Sequence, residues 1–500
     1  MPFVPDAVPL PEEIAALRAV NARLREVVDA KDFEITALRT SHQAQLDVLR
    51  GQVAALAAEV AELRARAGQN SSNSSRPPSS DGLGRPAPKS LRGKSGRKPG
   101  RPKGQPGATL EMTADPDEVV RHEPACCSGC GAGLAGAPVA GLERRQVIDL
   151  PVIRAVVTEH QMMSRRCGCG TVTAAPAPAG VTAPVRYGPR LTGIGACLWH
   201  GQFLSRDRTC QAIGELFGVA VSPGTVTAMV TRTAGSLGPA LDAIRSAVTA
   251  AGVAHFDETG FRVSGKLAWV HSASAGKHAL ITVHARRGKE AMDAAGVLPS
   301  FRGIAVHDAW APYDTYASVA GHALCGAHAL RELQAVTDAA PAGQWCWATQ
   351  AADALRAMKR LADTALAADG TQAGIDPAAM ARARREFRSA VLIGFRDTAP
   401  RAGPLMKKHQ ALARRLRDRR DDYLRFTTDP AVPFDNNPAE REIRMGKLRI
   451  KVSGCMRSMT GATQFCDIRS YLSTAAKHGI PALEALTQAA AGTPWIPATA

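Results

Sequence analysis

The sequence predicts a multidomain α+β protein. At its centre is an α/β core interrupted by an all-helical insertion. A coiled coil, a zinc-ribbon-like module and a helix-turn-helix region precede that core. Three observations carry this reading. Apolar runs at Val253–Asp257 and Ile304–Asp308 read as core strands that end in acids. Residues 335–430 are rich in Ala, Arg and Leu at helical spacing. Residues 11–67 carry a heptad seam.

Five hundred residues accommodate several domains, and a hydrophobic fraction of 45% supports a sizeable core. The formal charge of +17 points to a polyanionic partner, of which nucleic acid is the commonest. The first residues carry Asp6, Glu12 and Glu13 and no apolar run, so no signal peptide is expected. No stretch is long and apolar enough for a membrane span. Eleven cysteines, several closely paired, fit a reducing cytosol and a metal site better than a disulfide framework. The expected location is the cytoplasm, in association with the nucleoid.

The seam over residues 11–68 runs through Ile14, Leu17, Asn21, Leu24, Val28, Ile35 and Leu38. It resumes at Leu46, Leu49, Val53, Leu56, Val60 and Leu63 after a four-residue step, a stutter with a possible break. Asn21 on the seam would help fix register. The expectation is a coiled coil that makes the protein a homo-oligomer. A helix packed on its own chain is the alternative.

Residues 69–112 read as a linker, opening with the polar run Gln69–Gly82. From Arg85 to Lys103 there are eight Lys or Arg and no acid. Arg97, Lys98, Arg101 and Lys103 form an AT-hook-like unit, narrow enough for an A·T minor groove. The alternative is a solvated basic tether.

Residues 113–180 hold the pairs Cys127/Cys130 and Cys167/Cys169, which together can make a structural Zn²⁺ site. The second pair is one residue short of the usual spacing, and Cys126 and His122 are substitutes. Strands are expected at Arg145–Leu150 and Val152–Met162. Over residues 181–235, a helix Arg206–Phe217 ends at Gly218, and a second starts after Ser222 with Pro223 first. In that helix-turn-helix pattern Val226, Met229 and Val230 pack inward, leaving Thr225, Thr227 and Arg232 as candidate DNA contacts.

Residues 236–334 and 431–482 would form the two parts of the core, with a tail over 483–500. The expected order is a strand over 252–257, strands Leu267–Ser274 and His278–Ala285, and a helix near 289–297. Strand Ile304–Asp308, a segment Tyr313–Val319, a strand His322–Cys325 and a helix from Ala327 follow. That is the order of an RNase H-like fold. In the insertion, helices are expected at Ala348–Leu366, Pro377–Leu392 and Leu405–Thr427. The block Arg414, Arg415, Arg417, Arg419 and Arg420 is either a DNA-contacting face or a solvated one.

Acids at strand ends must be paired or hold a metal. Asn437 as N-cap and Pro438 at the first helical position would put Glu440 in the opening turns of a helix. Asp257, Asp308 and Glu440 suit two Mg²⁺ ions, or Mn²⁺ in their place. Such a pair can hold both reacting oxygens of a phosphodiester. Glu258 and Glu442 are rivals, but each points away from its neighbour's direction. Arg444, four residues after Glu440, shares its face.

Taken together, the Gln69–Gly82 linker, the cysteine pairs, His255–Gly260, His307–Trp310, Cys325–His328 with Leu330–Leu333, and Asp435–Arg441 resemble a bacterial insertion-sequence DDE transposase of the insertion sequence 66 type. The resemblance covers nearly the whole chain. It implies that Asp257, Asp308 and Glu440 are the catalytic triad. It also implies that Cys325 and His328 form the Cys-x-x-His element that precedes the insertion in such enzymes. By spacing alone, Arg444 is a candidate to orient Glu440 or contact a phosphate, and His328 is either a site contributor or a core histidine. The shortened second cysteine pair departs from the pattern. The implied activity is metal-dependent cleavage and strand transfer at terminal inverted repeats. The implied partners are element ends, target DNA and helper proteins of the same element. A DNA-binding regulator without chemistry and a nuclease that cuts without joining stay open at this point.

Overall fold

The computed structural model describes residues 11–69, 73–74, 110–341, 343–399 and 403–498. Arg97, Lys98, Arg101 and Lys103 lie outside the described residues.

Helix α1 (Pro11–Ala67) is continuous, with Glu12 and Glu13 in its first turn, where acids suit the helix dipole. Leu17, Leu24, Val28, Leu38, Leu49, Val53 and Leu56 are all exposed along it. In the cysteine-rich module the strands are β1 (Ser164–Arg166) and β2 (Val172–Ala174), an antiparallel pair around Cys167 and Cys169. The expected strands at Arg145–Leu150 and Val152–Met162 are absent. Val147, Ile148, Leu150, Val152, Val156 and Val157 stay exposed there. Alternation gives a strand only where a face is available to bury.

Four helices follow: α2 (Pro189–Ala196), α3 (Arg206–Phe217), α4 (Pro223–Gly235) and α5 (Gly238–Ala250). Ser205 and Ser222 cap α3 and α4, and Gly218 ends α3 at φ 67°. Val226, Met229 and Val230 are buried. Thr225 and Thr227 are half-buried, and Arg232 is exposed.

The sheet comprises β3 (Val253–Val263), β4 (Lys266–Ala275), β5 (His278–His284), β6 (Ile304–His307) and β7 (Gly321–Leu324). Their order is β5-β4-β3-β6-β7. The β3–β4 and β4–β5 pairs are antiparallel, whereas β3–β6 and β6–β7 are parallel. Helix α6 (Lys289–Ala295) crosses between the two halves. The first strand runs well past Asp257, because β4 pairs with it as far as Val263. Asp257 is therefore mid-strand, level with the point where its parallel neighbour β6 stops. The Tyr313–Val319 segment is no strand: Ala311–Thr315 is a 3-10 turn.

Helix α7 (Gly326–Ala339) leads into α8 (Trp347–Asp369), α9 (Pro377–Thr398), α10 (Pro404–Asp418) and α11 (Arg420–Leu424). The single helix expected over Leu405–Thr427 breaks at Arg419, which donates to Asp422 at 2.9 Å and to Asp314 at 3.0 Å. These helices share one core with Leu324 and Phe434. The chain closes with α12 (Asn437–Ser453), α13 (Met459–Lys477) and α14 (Ala482–Ala491).

Side-chain alternation gives β3 two faces. Ala254 and Phe256 pack with Ile244 and Val248 of α5, and with Phe301 and Tyr313. Phe261 and Val263 pack with Ile443 of α12 and Phe465 of α13 on the other face.

The start of α12 is fixed by Asn436, not by Asn437. Asn437 is already the first helical residue, and its N–H is met by the Asp435 carboxylate at 3.1 Å. Fully buried Asn436 instead donates from Nδ2 to the Phe256 carbonyl at 2.7 Å and contacts His255 Nδ1 through Oδ1 at 3.0 Å. Its N–H meets Cys325 Sγ at 3.3 Å. One side chain and its own amide thus join β3, α7 and α12. Asn436→Ala should cost about 1–3 kcal/mol, the penalty for stranding buried polar groups. Urea unfolding of the variant against the parent measures it, and an unchanged midpoint would contradict this role.

Candidate active site

Three acids separated by long stretches of sequence come to one face of the sheet. Parallel register sets His255 beside Val306. Asp257 and Asp308 each follow two residues later, and so stand side by side. Glu440 lies in the first turn of α12. Ser272 of β4 fastens that turn to the sheet by donating to the Ala439 carbonyl at 3.2 Å.

The electrostatics of the site follow from this proximity. The Asp257 carboxyl is pushed well above the usual carboxylate range, first by burial and then by Glu258, Asp308 and Glu440. The Glu258 N–H, donating to its Oδ1 at 2.9 Å, offsets only part of this. Burial also lowers the Lys447 ammonium, which lies near Asp257 and Glu440 and is opposed by their charges. A cluster of oxygen donors that repel one another fits a hard divalent cation.

The rival acids are occupied elsewhere. Glu258, on the opposite face of β3, accepts from Arg287 at 2.7 Å and from Tyr313 at 2.6 Å. Arg287 is stacked over Trp310 at 4.0 Å and Trp269 at 4.9 Å. Glu442 pairs with Lys477 at 2.9 Å and accepts from Ser473 at 2.8 Å.

Asp308 is aimed by the turn that follows it. Ala309 has φ 73°, the left-handed region that a residue with a Cβ seldom adopts. Its N–H donates to His307 Nδ1 at 3.2 Å, so the proton of the neutral ring sits on Nε2. That nitrogen lies 3.1 Å from His322 Nδ1, and His322 Nε2 is 4.0 Å from Asp314. His307, His322 and Asp314 cluster closely enough to suggest a metal. With the proton on His307 Nε2, His307 and His322 form a hydrogen-bonded brace, with Asp314 beyond hydrogen-bond reach. Burial first, then His322 and Arg419, hold His307 well below its ordinary pKa and keep it neutral.

Around Glu440, Arg331 Nη2 lies 3.3 Å from Oε1, and Arg444 Nη2 is 3.4 Å from Oε2. His328 Nδ1 is 3.8 Å from Oε1. Cys325, His328 and Glu440 converge. Cys325 and Arg331 thus border the site, with His328 between them on the first turns of α7.

The cysteine pairs are each shaped locally. The Cys127 thiol is lowered by the backbone amides of Cys130 and Gly129. The Cys169 thiol is lowered to about 7, chiefly by the Thr171 hydroxyl. Among the described residues, the four sulfurs of Cys127, Cys130, Cys167 and Cys169 do not gather into one cluster. In the insertion, Arg415 grips Glu332 through two bonds of 2.6 and 2.7 Å, and Arg417 lies over the Phe395 ring. Much of the basic block is therefore spent on internal contacts.

Sequence reasoning missed Asn436, Arg331, Lys447 and the Arg287–Tyr313 clamp. Two had a signal. Arg331 follows His328 by three residues, and Lys447 follows Glu440 by seven, both spacings that keep one helical face. Asn436 had none, because its partners are distant in sequence.

The pattern of the family described as "Transposase IS66 family" matches residues 184–464, more than half of the chain. Residues 7–111 match a family of unknown function (DUF6444). No curated protein matches. The matched region spans α2 to α12 and contains the sheet, the insertion and all three converging acids, and the chain belongs to the IS66 transposase family.

Proposed function

We propose that the protein is a DNA transposase of the DDE type that cuts at the terminal inverted repeats of its element and joins the freed ends to target DNA. The convergence of Asp257, Asp308 and Glu440 on one sheet face carries this reading. Strand order β5-β4-β3-β6-β7, with three antiparallel strands leading into two parallel ones, supports an RNase H-like core. Membership of a transposase family implies an enzyme that binds DNA.

Asp257, Asp308 and Glu440 would hold two Mg²⁺ ions, or Mn²⁺. When bound, these supply Lewis-acid stabilisation of the attacking and leaving oxygens. The chain's own work is positioning and charge placement. Asn436 and Ser272 set the height of Glu440 against Asp257. The His307 brace fixes the turn that presents Asp308. Arg331 orients Glu440 from the α7 side, and exposed Arg444 is available to both Glu440 and a phosphate. Water would attack one phosphodiester and release a 3′-hydroxyl. That hydroxyl would then attack a target phosphodiester at the same site, with no covalent enzyme intermediate.

The remaining elements serve assembly and DNA capture in this reading. The exposed seam of α1 supports pairing with a second copy, so that two ends are processed together. The basic linker, with Arg97, Lys98, Arg101 and Lys103, and the α3–α4 pair, with Thr225, Thr227 and Arg232, are the proposed DNA contacts. Zn²⁺ binding by Cys127, Cys130, Cys167 and Cys169 is the structural role proposed for the cysteine module.

Asp257→Asn and Glu440→Gln should each bind element ends like the parent yet lose strand cleavage by at least about a hundredfold, the scale of a lost transition-state interaction. Labelled ends incubated with Mg²⁺ give the readout, and cleavage retained in either variant would sink the assignment. Pre-cleaved ends separate the rivals: a nuclease cuts without joining, and a DNA-binding regulator does neither.

A linkage experiment tests the site without catalysis. The Asp257 pKa is raised on folding above its unfolded value near 3.8. Its contribution to stability is therefore lost as pH rises from that value through the folded pKa. Mg²⁺ binds the ionised form and should reverse the loss. The rise in melting temperature on adding Mg²⁺ should grow with pH over this window, and shrink in Asp257→Asn. A pH-independent increment would contradict the proposal.

A further inference from the structure

Next to the three acids lies a second donor set of different chemistry. Cys325 caps α7, and His328 sits one turn along on the same face. Glu440 reaches in from the first turn of α12. The Cys325 sulfur, His328 Nδ1 and a Glu440 oxygen all lie within 4.8 Å of one another. We propose that Cys325, His328 and Glu440 form a binding site for a borderline divalent cation of the zinc class, separate in kind from the oxygen-only site.

Four features of the donors point there. His328 Nδ1 is closed off from solvent and has no hydrogen-bond partner. A buried imidazole nitrogen in that state lacks something to coordinate or bond. The Cys325 sulfur accepts the Asn436 N–H at 3.3 Å and lies within reach of the His328 amide. Amides aimed at sulfur favour a thiolate. His328 Nδ1 and Glu440 Oε1 are 3.8 Å apart, close to the roughly 3.3–3.7 Å between ligands of a tetrahedral ion with Zn–N, Zn–O and Zn–S bonds of ordinary length. Finally, sulfur and imidazole select Zn²⁺ or Co²⁺ over Mg²⁺.

Burial holds the free thiol up at about 12 and the imidazole down at about 4. At neutral pH the metal-free site is a neutral thiol beside a neutral imidazole. Binding breaks the S–H bond, forms a metal–sulfur bond and releases one proton to solvent. The thiolate and the Glu440 carboxylate then offset the ion's charge beside Arg331. Three protein ligands leave a fourth position for water. One consequence rests on the function proposed above: an ion here would engage the Glu440 oxygen that the magnesium pair requires. Zinc-class ions would then compete with cleavage.

The test uses Co²⁺ alone as the probe, on the full chain. Cys127, Cys130, Cys167 and Cys169 are each replaced by Ser to silence the exposed pairs. The expected result is one Co²⁺ per chain, with a sulfur-to-metal band in the near ultraviolet and strong visible bands. Excess Mg²⁺ should leave these in place. Cys325→Ser should abolish the ultraviolet band, and His328→Gln should shift the visible ones. Absence of both sets of bands in the folded four-serine protein, or their survival in Cys325→Ser, overturns the proposal. Should the four-serine protein not fold, the parent and its single Cys325→Ser variant are compared instead. Loss of one Co²⁺ equivalent supports the site, and no loss overturns it. Neither readout depends on cleavage, so the binding proposal and the catalytic reading fail separately.

Discussion

Gathering carboxylates in a half-buried cleft is unfavourable, and the fold around the site is arranged to withstand it. Burial first, and then the like charges near it, raise the Asp257 pKa, which is the same statement in protonation terms. Left free, Glu440 would swing to solvent and the turn after β6 would relax. Asn436 prevents the first by joining α12 to the Phe256 carbonyl, and the His307–His322 brace prevents the second. Buried hydrogen bonds of this sort are directional, so they hold position where apolar packing alone would permit sliding.

The helical insertion contributes to the same end. Its arginines, clustered in sequence, are distributed in space over several acids. Arg415 holds Glu332 on α7, and Arg419 reaches Asp314 beside the brace. These contacts tie the insertion to α7, which carries His328, and to the 3-10 turn that follows Asp308. In a block that reads equally as a DNA-contacting or a solvated face, Arg415 and Arg419 are held in partly shielded ion pairs, while Arg414 and Arg417 stay exposed.

How much of this was legible depended on whether the deciding contact was local. The bounds of α3 and the start of α4 were readable because Ser205, Ser222 and Gly218 act on their own neighbours. Asp257 and Asp308 stood out because each follows an apolar run, and their parallel pairing only required the strands to be adjacent. The length of β3 was not readable. Gly260 looks like a stop, yet it continues the strand with the Leu267 side chain lying over it. Apolar alternation at Val147–Leu150 misled in the opposite sense, since no face of the described structure covers it. Glu442 contacts Ser473 and Lys477, distant partners that only the folded chain brings near and that its sequence neighbourhood does not announce.

Glu440 is encoded after the entire insertion, whereas Asp257 and Asp308 precede it. During synthesis the first two acids leave the ribosome while α12 is still unmade. Domains generally fold as they emerge. A nascent chain can therefore close its helical insertion on Leu324 well before Phe434 and α12 dock. The same order means that a chain truncated within the insertion carries two of the acids and none of the third. Such a fragment retains the N-terminal regions and cannot complete the cleft.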